Sequence, residues 1–139
     1  MKALKINFVA IAVLAVAFQL TNVAWYSLAG DRWVELSGLK NVADIAAATS
    51  PLAYLSSIIT SALFCFMLAW LFTKIRVETA LQGIIYAVSF YGCFVFFESM
   101  TKDMFHLRPF MLTLINEGVN FINYTLAGAV LGVWRKYEA

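Results

Sequence analysis

Four apolar runs divide this chain, each about as long as a lipid bilayer is thick. They cover roughly residues 6–28, 51–73, 79–97 and 109–134. A helix needs about 20 mainly apolar residues to cross the hydrocarbon core. Short polar connections separate the runs, so the expected fold class is all-α: a single integral membrane domain, 1–139, built as a four-transmembrane-helix bundle. Composition agrees. Of 139 residues, 63% are hydrophobic and 13% charged, whereas a soluble domain carries about 25% charged residues. The net charge of +2 is small and its basic residues fall in short clusters between the runs. That pattern suits membrane topology better than nucleic-acid binding, so no nucleic acid is expected as a partner.

The first run follows Lys2 and Lys5 and ends near Trp25-Tyr26, which reads as an interfacial aromatic anchor. No small-x-small cleavage site follows it cleanly, so it reads as a retained helix rather than a signal peptide. A polar stretch, 29–50, comes next. Trp33, Leu36 and Leu39 recur at threes in it, which predicts a short interfacial helix that Gly38 and Asn41 would break. Ser50-Pro51 is a start signal for the second helix: a hydroxyl cap, then proline where its missing N–H costs nothing. Ser57, Ser61, Cys65 and Ala69 step by four and give that helix a small-residue packing face. The connection at 74–78 is short enough to make the second and third helices antiparallel neighbours. Glu98 to Asp103 reads as a polar turn.

Orientation follows from the basic residues. Lys2, Lys5, Lys74, Arg76, Arg135 and Lys136 lie on the side of the termini, and Arg32, Lys40, Lys102 and Arg108 on the other. The positive-inside rule then puts both termini in the cytoplasm of a bacterial inner membrane.

The fourth run carries most of the chemistry. Asn116, Glu117, Asn120, Asn123 and Tyr124 fit within a wedge of about 120° on a helix. Met111, Leu114, Ile115, Ile122, Leu126 and Val133 occupy the other side and are expected to face lipid. Counted from the outer helix ends, Asn116, Glu117 and Asn120 lie roughly 9, 10 and 15 Å deep. Asn22 and Gln19 of the first run lie roughly 9 and 13 Å deep. Unsatisfied polar groups in lipid are costly, so the wedge must turn inward. The expectation is an outward-facing polar pocket lined by Gln19, Asn22, Asn116, Glu117, Asn120, Asn123 and Tyr124, with Glu98, His106 and Arg108 at its mouth. Glu117 has three readings: a paired structural carboxylate, a proton- or cation-binding group in a transport path, or part of an oligomer or ligand site. Gly128 and Gly132 form a GxxxG pair, which serves helix packing within the chain or dimerisation.

Catalysis has little support. His106 is the one histidine, and no His/Cys/carboxylate cluster accompanies it, so no metal, no cofactor and no hydrolase triad are expected. Cys65 and Cys93 sit at different depths, too far apart for a disulfide. The implied partners are the lipid bilayer, a second copy or another membrane protein, and a small-molecule or cation ligand.

Three stretches carry a family resemblance: Trp25-Tyr26-Ser27 with Trp33 and Gly38-Leu39; Arg108-Pro109; and Leu114-Ile115-Asn116-x-Gly118 with Gly128-Ala129-x-Leu131-Gly132-x-Trp134-Arg135. In these the chain resembles the small bacterial membrane proteins grouped as domain of unknown function 1761. The resemblance covers essentially the whole chain. It implies a multi-pass bundle of about four helices and no established activity. It also implies that Asn116 and the glycines are the shared feature, and that Glu117 is particular to this chain.

Overall fold

The computed structural model describes residues 4–39 and 42–137. Lys2, Lys40 and Asn41 of the reading above lie outside them. The architecture is all-α, with a two-residue antiparallel strand pair, β1 (Leu4–Lys5) and β2 (Lys136–Tyr137), tying the chain ends together.

Helix α1 runs from Phe8 to Ser37. Asn7 caps it: its Oδ1 accepts from Ala10 N at 3.3 Å while its Nδ2 donates to Trp134 O at 3.1 Å. One buried side chain thus starts α1 and holds the far end of the chain beside it. The helix does not stop where the apolar run does. It continues through Asp31, Arg32 and Glu35, with Arg32 and Glu35 paired at 2.5 Å. It ends at Gly38, which takes φ 70° and donates to Glu35 O at 3.4 Å, while Leu39 N donates to Val34 O at 3.3 Å. Glycine enters this left-handed conformation without a Cβ penalty. The extra turns leave these charged side chains exposed. A short helix, α2 (Val42–Ala48), follows.

Helix α3 (Pro51–Ile75) starts as its sequence predicts, with Ser50 Oγ accepting from Leu52 N at 3.2 Å and Pro51 in the first turn. Its small-residue face turns inward: Cys65 and Ala69 are buried among Ala10, Leu14 and Phe18 of α1. After a tight turn, α4 (Ala80–Tyr91) begins with Thr79 as cap. One wide π turn, Gly92–Phe96, joins it to α5 (Phe97–Phe105), so Ala80–Phe105 is a continuous helical rod. The stretch from Glu98 to Asp103 is therefore helical rather than a turn. Glu98 pairs with Lys102 four residues on, at 2.8 Å, which suits an exposed helix face.

Helix α6 (Phe110–Val133) returns across the others. Its entry is fixed by Asp103, whose Oδ2 accepts from Thr113 Oγ1 at 2.7 Å and whose backbone carbonyl accepts from Arg108 N at 2.9 Å. α6 is the most buried helix, and its closest neighbour is α4. A Cβ placed on Gly128 would lie 2.5 Å from Gly83 O, and one on Gly132 would lie 2.6 Å from Thr79 O. The two backbones touch, which only glycine permits.

Three helical segments are long and apolar enough to cross a membrane: Phe8–Ser37, Pro51–Ile75 and Ala80–Phe105. Their outward residues are large and apolar, as with Val16, Leu20, Leu55, Leu63, Leu81 and Ile85. α6 is of similar length but interrupted by its polar residues, and the other helices shield it.

Candidate functional site

The polar residues of α6 fall on two stripes rather than one face. Asn116 and Asn123 are seven apart, as are Glu117 and Tyr124. Consecutive residues on a helix point about 100° apart, so the two pairs look at different neighbours.

The first stripe meets α1. Asn116 Oδ1 accepts from Trp33 Nε1 at 2.8 Å and from Tyr26 Oη at 3.2 Å. Tyr26 and Trp33, also seven apart, lie edge to face with centroids at 5.8 Å. Beside it, Trp25 Nε1 donates to Ile115 O at 2.9 Å, and its ring lies over Gly118, where a Cβ would come within 2.7 Å of it. Asn123, buried, donates from Nδ2 to Asn22 Oδ1 at 3.3 Å, leaving its own Oδ1 unpaired. Gln19 faces α3 instead: it donates to Ser61 Oγ at 3.2 Å and accepts from Ser57 Oγ at 3.1 Å. Most of these amides join helices to one another.

An open pocket remains at the end of this seam remote from the chain termini. It has a volume near 250 Å³, between the end of α1 and the start of α6, and is lined by Trp33, Leu36, Ser37, Arg108, Leu112 and Asn116. Arg108 stands at its rim, paired with Asp103 Oδ1 at 3.3 Å. His106 and Glu98 do not line it. His106 is exposed in the turn before α6, with Nδ1 2.7 Å from Lys102 O.

The second stripe meets α3 and the α4–α5 rod. Glu117 is 6% exposed. Its Oε2 accepts from Asn120 Nδ2 at 3.1 Å, and its backbone carbonyl accepts from Tyr91 Oη at 2.8 Å. Among the described residues no lysine, arginine or histidine forms an ion pair with it. Tyr124 packs on Phe64 of α3 and on Tyr91, with centroids at 3.9 and 5.2 Å. Glu117 and Tyr91 line a second cavity, near 460 Å³, with Gly92, Phe96, Phe97 and Phe121. Among the described residues no three of the histidine, cysteine, aspartate and glutamate side chains gather as a metal site needs.

Residues 9–132 match the family described as Protein of unknown function (DUF1761). The chain belongs to that family. No curated protein and no solved structure matches it. The residues that carried the resemblance now have a physical content in this DUF1761 member. Trp25, Tyr26 and Trp33 dock on Ile115, Asn116 and Gly118, and Gly128 and Gly132 seat the backbone of α4.

The sequence reading missed the acceptors and donors that complete these contacts. Trp25, Tyr26, Trp33, Tyr91, Asp103, Thr113 and Asn7 all bond across elements. The seven-residue spacing of Tyr26 and Trp33 was the available signal, and it becomes visible only once α1 is drawn past the membrane.

Proposed function

We propose that this is a non-enzymatic membrane protein that binds a small ligand from the outer side, with α6 as a fourth span and both chain ends in the cytoplasm of a bacterial inner membrane. The observation that carries it is the pocket near 250 Å³ at the end of the α1–α6 seam, where an arginine, an indole, a hydroxyl and an amide converge beside leucines. That mixture of apolar wall and a few polar groups is the usual make-up of a ligand site. The basic residues of the termini and of the α3–α4 turn support the cytoplasmic placement.

The test is a thermal-shift screen of the purified chain against small carboxylates, small amines and neutral amides. At least one class should raise the melting temperature, and Arg108→Gln and Asn116→Leu should each remove that rise. A flat response from the wild-type chain, or a rise that persists in both variants, overturns the reading. In sealed vesicles, a cysteine at Ser37 should react with an impermeant maleimide from the side opposite one at Lys74.

A second reading, a proton- or cation-coupled transporter, rests on Glu117, a buried carboxylate with no basic partner among the described residues. In proteoliposomes under a pH gradient, Glu117→Gln should abolish flux. No wild-type flux across a broad cation panel counts against it.

A further inference from the structure

The cavity between α6 and the π turn differs in kind from the outer pocket. Its mouth lies on the flank of the bundle, framed by Leu114, Phe97 and Phe121, all exposed. Its floor holds Glu117. The π turn shapes it: Tyr91 and Gly92 stand at the start of the wide turn and Phe96 at its end. A π turn holds an extra residue and swings the following helix aside, and such turns occur often at functional sites. Here it opens the rod beside Glu117. The rings form a box: Tyr91 lies 6.0 Å from Phe121 and 6.2 Å from Phe96, and Phe96 lies 5.6 Å edge-on from Phe97.

We propose that this cavity is a binding site for a hydrophobic organic cation that enters sideways from the lipid, with Glu117 as its counter-charge and Tyr91, Phe96, Phe97 and Phe121 as its aromatic walls. The site rests on the membrane reading and on Glu117 as a cation-binding group. It does not rest on transport.

The argument is one of unmet charge. A carboxylate buried in apolar surroundings is costly unless it is paired and hydrogen-bonded. Glu117 has one amide donor on Oε2 and the neutral Tyr91 hydroxyl beside it, and no basic side chain paired with it among the described residues. An organic cation supplies the missing partner. The faces of Phe and Tyr rings attract cations, more strongly when water is excluded. The volume near 460 Å³ lies within the roughly 300–1,000 Å³ of small-molecule sites. A lipid acyl chain would fit the walls but leave the carboxylate uncompensated. A second copy approaching through the glycines is ruled out, because Gly128 and Gly132 are already occupied by α4.

Tetraphenylphosphonium and tetraphenylborate give the test, since they share a shape and differ in charge. The full chain in lipid nanodiscs is titrated calorimetrically with each. The expected result is saturable binding of the phosphonium, which the borate does not displace. Glu117→Gln should weaken it about thirtyfold or more, as for loss of a buried charge pair. Phe96→Leu, which keeps an apolar wall without the ring, should weaken it about threefold. If Glu117→Gln fails to fold by gel filtration, Glu117→Asp and Phe96→Leu carry the test, with partial retention expected for both. Absent saturable binding, equal binding by Glu117→Gln, an unchanged affinity in Phe96→Leu, or displacement by the borate overturns the site. Binding that survives without any flux would sink the transport reading alone.

Discussion

Gly128→Ala is the sharpest test of how this bundle is held together. The new Cβ would lie 2.5 Å from Gly83 O, 2.8 Å from Gly83 C and 2.9 Å from Ala87 Cβ. Ordinary contact begins near 3.4 Å, so the overlap is about 0.9 Å at the worst atom. Two of the three obstacles are backbone and cannot rotate away. α4 and α6 must therefore part, loosening the contacts of the buried Ala87 and Ala127 as well. Overpacking of this kind costs about 1–3 kcal/mol. Alanine gains up to about 1 kcal/mol in helix propensity over glycine in water. Less of that returns here, because a helix unpacked within a bilayer remains helical. A net loss of about 1–2 kcal/mol is expected. Gly92→Ala is the control: its Cβ would meet nothing within 4 Å, so stability should hold or rise slightly. The assay is denaturant unfolding in lipid-detergent micelles, followed by circular dichroism, with oligomeric state measured in parallel by light scattering. If Gly128→Ala unfolds at the wild-type midpoint while the oligomeric state alone changes, the glycine pair is a dimerisation face and the intrachain packing argument fails.

Two further outcomes follow from the polar contacts. Asn116→Leu removes the acceptor of Trp33 Nε1 and Tyr26 Oη; at about 0.6 kcal/mol per interhelical bond, it should cost about 1 kcal/mol, with a red-shifted tryptophan emission, whereas Asn116→Asp should cost less because an acceptor remains. An Asn116→Leu/Trp33→Phe double-mutant cycle with no coupling would refute the assignment. Thr113→Val leaves Asp103, buried between α5 and α6, without its hydroxyl donor; it should cost about 1–3 kcal/mol and speed amide exchange around Phe110 and Met111, and exchange unchanged there would refute the staple.

The elements were legible because apolar runs and caps act locally. Ser50-Pro51 set the start of α3 through a bond between residues two apart, and no distant partner was needed. The ends of α1 and of the α4–α5 rod were misread for a common reason. Polar residues leaving a membrane resemble a loop in hydropathy, yet Asp31, Arg32 and Glu35 continue the helix until Gly38, and Glu98 and Lys102 pair along a helix face. Ile115 was expected to face lipid and is 8% exposed, and a side chain ninety residues away, Trp25, reaches across to its carbonyl. Trp25 and Tyr26 were read as interfacial anchors. An aromatic at that depth carries no mark that separates a headgroup from an amide on another helix.

The wedge on α6 shows what a helical wheel does and does not decide. An arc of about 120° was rightly read as turned inward, since lipid satisfies none of those groups. But a helix at the centre of a bundle has more than one inward side. Asn116 and Asn123 are drawn to α1 because Trp33, Tyr26 and Asn22 offer two donors and an acceptor there. Glu117 and Tyr124, about 100° round, meet Tyr91 and Phe64, which offer a neutral hydroxyl and rings but no positive charge. Asn116 and Asn123 therefore each bond across to α1, whereas the Glu117 charge has no basic partner among the described residues. That difference, rather than depth, separates the amides that tie α6 to α1 from the carboxylate that faces the cavity beside the π turn. It also accounts for the low apolarity of α6, most of whose amide bonds go to other protein groups.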